Sequence, residues 1–248
     1  MLLLIVASAL LASSTVLGQK CDPIRFDQCQ QTFARIIGAD PSVDWKKPRD
    51  LHAAIQNVYI NGLDATTPGI VSVCNAYNAF MQCIRDDGYS YQDCFSANWL
   101  LSLNSSIVTP YDTYYYVGVM VQVSYQCSAG FYPAVDNWPC IQSVYKNQGA
   151  ALDKCLQTFY INAQGNPYRA CEFFKDGMEC YQGTFRHCRD EVMYWGCESF
   201  RSQAHIGYEG CKQSCQVNQF FGDVKPEQKM KLVDSERYTK NAAEQIEA

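Results

Sequence analysis

Apolar residues recur along most of the chain at helical spacing. Cys74, Tyr77, Met81 and Ile84 fall at i, i+3, i+7 and i+10, and Cys171, Phe174, Met178 and Tyr181 repeat the same spacing. That spacing lines one face of a helix, and the plain reading is a core stripe. The pattern predicts helices near 22–37, 48–60, 68–86, 90–103, 110–127, 139–160, 167–181, 184–203 and 208–219. Three starts are marked by a capping residue before proline: Thr67-Pro68, Thr109-Pro110 and Asn166-Pro167. Thr109 also has Asp112 three residues on, an acidic form of the capping box. Asn61-Gly62 and Asp87-Gly88 mark helix ends. Residues 113–125 are rich in Tyr and Val and would suit a strand on propensity alone. The cap before them and the helices around them argue for helix.

The two ends depart from this pattern. Residues 2–11 are almost unbroken apolar sequence, the length of a signal-peptide core and too short to cross a bilayer. Val16 and Gly18 suit a cleavage pocket, so residues 1–18 read as a signal peptide and Gln19 as the mature N-terminus. Residues 217–248 have no cysteine and are dense in Lys, Glu and Gln, which reads as a polar tail, helical or disordered. No second stretch is long and apolar enough for a membrane span, so membrane insertion is not expected.

The cysteines change the picture most. All fourteen lie in the expected mature chain: Cys21, Cys29, Cys74, Cys83, Cys94, Cys127, Cys140, Cys155, Cys171, Cys180, Cys188, Cys197, Cys211 and Cys215. An even number behind a signal peptide reads as up to seven disulfides. With no C-x2-C pair and only three histidines (His52, His187, His205), no metal site is expected. Cysteines nine apart on a helix sit about 13 Å apart along its axis and on opposite faces. A disulfide needs Cα atoms within about 7 Å. Cys74 should therefore not pair with Cys83, nor Cys171 with Cys180, and each helix should be stapled to two neighbours. Cys211 and Cys215 are four apart, so on a helix both should bridge to one neighbouring segment.

A weak duplication runs through the same residues. The pattern C-x2-(Y/F)-x3-M-x-C occurs at 74–83 and 171–180, preceded in each half by a Cys, Gln-Thr-Phe motif at 29–33 and 155–159. Each copy is followed by a further cysteine, Cys94 or Cys188. The order is shared, which reads as two related repeats, 19–134 and 135–216, meeting near 130–138. The expected fold is mostly α, a disulfide-rich helical bundle.

Candidate chemistry is sparse. His187 beside Cys188 suggests a thiol and base, but an oxidising compartment favours a bridged Cys188. Asp86-Asp87 and Asp190-Glu191 are neighbours that point into water, whereas paired catalytic carboxylates face each other across a substrate. Nucleophile-elbow, zinc-protease, phosphate-loop and calcium-loop patterns are missing. No catalytic residue and no cofactor is expected. The net charge of -5, with signs interspersed, argues against a nucleic-acid partner. Asn104-Ser105-Ser106 is an N-glycosylation sequon between two expected helices.

The run of spaced cysteines on helices, with the flanking motifs above, resembles the secreted cysteine-rich helical domains of nematodes, most closely the chondroitin proteoglycan 4 domain family. The resemblance spans residues 21–215. It implies an extracellular structural or interaction role, of egg or cuticle-matrix type, with a protein or glycan partner and no enzymatic activity. One departure matters: chondroitin attaches at Ser-Gly, and the chain has no Ser-Gly dipeptide. It is therefore not expected to carry chondroitin itself. A carrier of an apolar small molecule, with the aromatic stripes lining a closed cavity, is the competing expectation; an enzyme or inhibitor of another kind is the third. Two measurements check the ends of this reading. N-terminal sequencing of the secreted protein is expected to begin at Gln19, and Asn104→Gln is expected to abolish an N-glycan mass shift. A secreted form that keeps residues 1–18 would overturn the first.

Overall fold

The computed structural model describes residues 21–103 and 107–216, so the expected signal peptide, the Asn104 sequon and the polar tail lie outside the described residues. Among the described residues the chain is mostly helical, with no strand. In order the helices are α1 (Pro23–Ile36), α2 (Pro48–Asn61), α3 (Gly69–Asp86), α4 (Tyr91–Cys94), α5 (Ala97–Leu103), α6 (Pro110–Cys127), α7 (Phe131–Asp136), α8 (Trp138–Gly165), α9 (Ala170–Thr184) and α10 (Asp190–His205).

Local chemistry accounts for many of these boundaries. Asp22 caps α1 by accepting from the Arg25 N–H at 2.8 Å. Thr109 and Asp112 close the full capping box expected of α6. Gly62 ends α2 at φ +68°, a backbone that L side chains rarely adopt. Elsewhere the expected elements shift. Residues 90–103 form two helices, because the chain breaks at buried Phe95 and restarts where Ser96 accepts from the Trp99 N–H. Thr67 does not cap α3; its N–H is tied to Asp64 in the preceding loop, and the helix begins at Gly69. Asn166 does not cap either: a 3-10 turn, Pro167–Arg169, leads into α9. The helix expected at 184–203 begins only at Asp190, after turns.

The fourteen cysteines form seven bridges, with none free. In the first half Cys21 pairs with Cys94, Cys29 with Cys83 and Cys74 with Cys127. In the second Cys140 pairs with Cys188, Cys155 with Cys180 and Cys171 with Cys211. The nesting is the same in both: the outer pair encloses the inner pair, and the third cysteine reaches forward. Cys197–Cys215 is extra. Each nine-residue helical step is stapled to two neighbours, as the helix geometry requires. The expectation for Cys211 and Cys215 fails: they bridge to different helices, α9 and α10. Residues 211–216 are not helical, so the two sulfurs do not share a face and can diverge.

No bridge joins the two halves. Packing does, through a single continuous core. In the first half Phe26 meets Phe80, Phe95, Trp99 and Tyr116 edge-on at centroid distances of 5.4 to 6.2 Å. In the second Phe159, Phe174 and Phe200 form a triangle of 5.5 to 6.0 Å. Edge-to-face rings are favourable beyond the area they bury. Helix α6 lies between the clusters. Residues Tyr116, Val117, Gly118, Val119 and Met120 are all buried, so the middle of this helix is covered on every face. Its Gln126 binds across the seam, accepting from the Tyr59 hydroxyl at 2.6 Å and donating to Ser199 at 3.1 Å.

The helices approach closely across the seam at Gly118, where a Cβ would fall 2.4 Å from the Gln203 carbonyl oxygen of α10. Gly118→Ala is expected to cost roughly 1–3 kcal/mol or more, because backbone must move. Gly149→Ala, in α8 with nothing within 4 Å of the new methyl, is expected to stabilise by up to about 1 kcal/mol. Urea midpoints of the two variants check the contrast, and equal midpoints would contradict it.

Candidate functional site

Two recesses of about 450 Å³ each open on the surface. One runs between α8 and α9 beside the Cys155–Cys180 bridge and is lined by Phe159 and Phe173 together with Lys154, Thr158, Asn162 and Asp176. The other lies at the seam, where α2 and α6 of the first half meet α8 of the second. The seam recess carries the denser chemistry.

Helix α2 points His52 and Gln56 into it, one turn apart on the face that also buries Leu51, Ile55 and Tyr59. Tyr111 and Tyr115 of α6 are likewise one turn apart. Helix α8 brings Asp153, Tyr160 and Gln157. The three tyrosine rings pack on one another at 5.4 to 5.8 Å. The Arg49 guanidinium sits over the Tyr111 ring at 5.3 Å.

Beneath the rings the polar groups are tied together. The Tyr115 hydroxyl lies 2.8 Å from Nδ1 of His52. Gln56 donates to the Asp153 carboxylate at 3.0 Å and lies 3.4 Å from Nε2 of His52. Burial holds the His52 imidazole down to about 4, with nearby Asp153 pulling weakly the other way. It is therefore neutral at physiological pH. Burial pushes the Tyr115 and Tyr160 phenols up, so both keep their protons.

The residues singled out from the sequence are not brought together here. Cys188 is bridged to Cys140, and His187 is exposed, accepting from Arg186 at 3.3 Å. Asp87 pairs with Arg25 at the end of α3. Glu191 accepts from Asn137 at 2.7 Å in the first turn of α10. These carboxylates hold helix ends. Of the recess residues, His52 left a signal as a histidine on the apolar stripe of α2, and Gln157 lies in the repeated Cys, Gln-Thr-Phe motif. Gln56 and Asp153 are 97 residues apart, and nothing local marks them as partners. Among the described residues there is no group of three His, Cys, Asp or Glu placed to hold a metal, and no helix long and apolar enough to cross a membrane.

No family model, curated protein or solved structure matches the chain.

Protonation of His52 gives a testable pH dependence. The folded pKa lies below the unfolded value, so in acid the unfolded chain binds this proton first. The stabilisation is full above about pH 6.5 and is lost as pH falls toward 4, roughly 3 kcal/mol in all. The charged groups facing His52 are Asp153 of α8 and, further out on its own helix, Arg49. Between pH 7 and 4.5, the fall in unfolding free energy is expected to be smaller in His52→Gln by roughly 2–3 kcal/mol. Equal falls in both proteins would show that His52 does not titrate with folding.

Proposed function

We propose that the protein is a secreted, disulfide-clamped structural or interaction protein of an extracellular matrix, without catalysis, built from two related cysteine-rich units at 19–134 and 135–216. Seven bridges fit a protein that matures in an oxidising compartment. The observation that carries the reading is the nested pairing repeated in the two halves. It supports the duplication, and it describes a scaffold clamped at closely spaced points, as a protein exposed to a harsh milieu needs. Each bridge is worth typically about 2–4 kcal/mol.

The placement of reactive side chains supports a role without catalysis. The one thiol–histidine neighbour pair has its sulfur in a bridge, and the adjacent carboxylates serve helix ends. The resemblance to the chondroitin proteoglycan 4 domain family points the same way. It rests on cysteine order and flanking motifs. A closed pocket for an apolar cargo gains less support: Phe159 and Phe200 fill the middle of the second half, and both recesses open to solvent.

Fractionation of native tissue tests the matrix role. The protein is expected to remain with the insoluble fraction after salt and detergent washes and to leave it with denaturant or reductant. Recovery only as a free monomer in body fluid would sink the reading, and turnover in a broad hydrolase screen would sink its non-catalytic half.

A further inference from the structure

We propose that the seam recess binds the end of a neutral saccharide chain. This rests on the reading of the protein as an extracellular interaction protein, and it gives that partner a chemistry.

A pyranose presents flat C–H faces and a rim of hydroxyls, each both donor and acceptor. A site for it needs ring surfaces beside planar groups that can do both jobs. The recess supplies Tyr111, Tyr115 and Tyr160 as rings, the Gln56 and Gln157 amides, and the Asp153 carboxylate as acceptor. Arg49, seated on Tyr111, adds a planar fork of donors at the rim. The volume of about 450 Å³ lies in the lower part of the small-molecule range and suits a chain end better than an enclosed polymer.

The groups are also held before any ligand arrives. Gln56 is bound to Asp153, His52 to Tyr115, and the rings brace one another. Ordering them therefore adds little to the entropy cost of binding. His52, 5% exposed, is the buried floor of this arrangement.

Charge selects the ligand class. One arginine and one aspartate face the recess, and the chain as a whole carries -5. A sulfated or carboxylated sugar would bring its anion against Asp153 with only one exposed cation to offset it. An apolar ligand would strip water from Asp153 and Gln56 without replacing their hydrogen bonds. A neutral, hydroxyl-rich ligand suffers neither penalty. The α8–α9 groove is a poorer match: Lys154, Thr158, Asn162 and Asp176 reach it, but most of the surface it offers is apolar and it has no tyrosine cluster.

Calorimetry and saturation-transfer NMR on the full secreted chain test this, with neutral trisaccharides of glucose, mannose and N-acetylglucosamine and a chondroitin sulfate tetrasaccharide as probes. At least one neutral trisaccharide is expected to saturate at millimolar concentration or below, and the sulfated probe to bind at least about tenfold more weakly. Tyr111→Ala and Asp153→Asn are each expected to weaken the neutral probe about tenfold, while Tyr132→Ala, exposed on α7, leaves it unchanged. Gln157→Ala, at an exposed position, replaces Tyr111→Ala if that variant fails to fold. No saturation by any neutral probe, tighter binding of the sulfated probe, or binding indifferent to the recess variants would each overturn the proposal. Matrix retention without saccharide binding would remove this inference and leave the function standing. Saccharide binding by a protein found only free in fluid would do the reverse.

Discussion

A cysteine on a helix can bridge only to a residue within a few ångströms of its own face. Two cysteines nine residues apart therefore commit their helix to two different neighbours. Helices α3 and α9 both obey this rule, and the layout of each half follows from it. Helix α3 is fastened to α1 through Cys83 and to the end of α6 through Cys74. Helix α9 is fastened to α8 through Cys180 and to the segment after α10 through Cys171. Phe33 against Phe80 and Phe159 against Phe174 fill the space between the fastened pairs. Covalent links position the helices and the aromatic rings close the gaps.

Between the halves there is no covalent link, and a different interaction takes over. Helix α6 is covered on every face along its middle turns and presses its glycine against the α10 backbone. Hydrogen bonds from Tyr59 through Gln126 to Ser199 run across the same boundary. A buried polar chain is costly when half-made, so it specifies one relative placement of the two sides. The two cysteine-defined units thus share one core rather than forming two.

The seam recess arises where the halves differ. In the first half α2 lies between Cys29 and Cys74; in the second α8 runs on to Gly165 and a short turn leads straight into α9, with no added α-helix between Cys155 and Cys171. Helix α6 ends at Cys127, and α10 takes the matching place before its counterpart Cys211, five turn residues further on. Helix α2 thus belongs to the first half alone, and with α6 it meets α8 at the recess. The pairing pattern is repeated, and the wall of the candidate site that carries His52 and Gln56 is built from the helix that is not.

Most helices, the Thr109 cap and the two forbidden cysteine pairings were legible in the chain. They depend on neighbours within about a turn, where periodicity, the Thr109–Asp112 box and rise per residue act. The break at Phe95, the coil at 211–216 and the late start of α10 were not, because each answers to a bridge or a buried ring elsewhere. The recess was least legible. A histidine on an apolar stripe hints at a buried polar group, but its neighbours Tyr115 and Asp153 come from other helices. Sequence by itself determined that the chain would be helical and which cysteines could not be partners, because both follow from the geometry of one helix. Only the tertiary structure decided which cysteines are partners and which polar groups face one another, because both depend on distances between helices that no local pattern encodes.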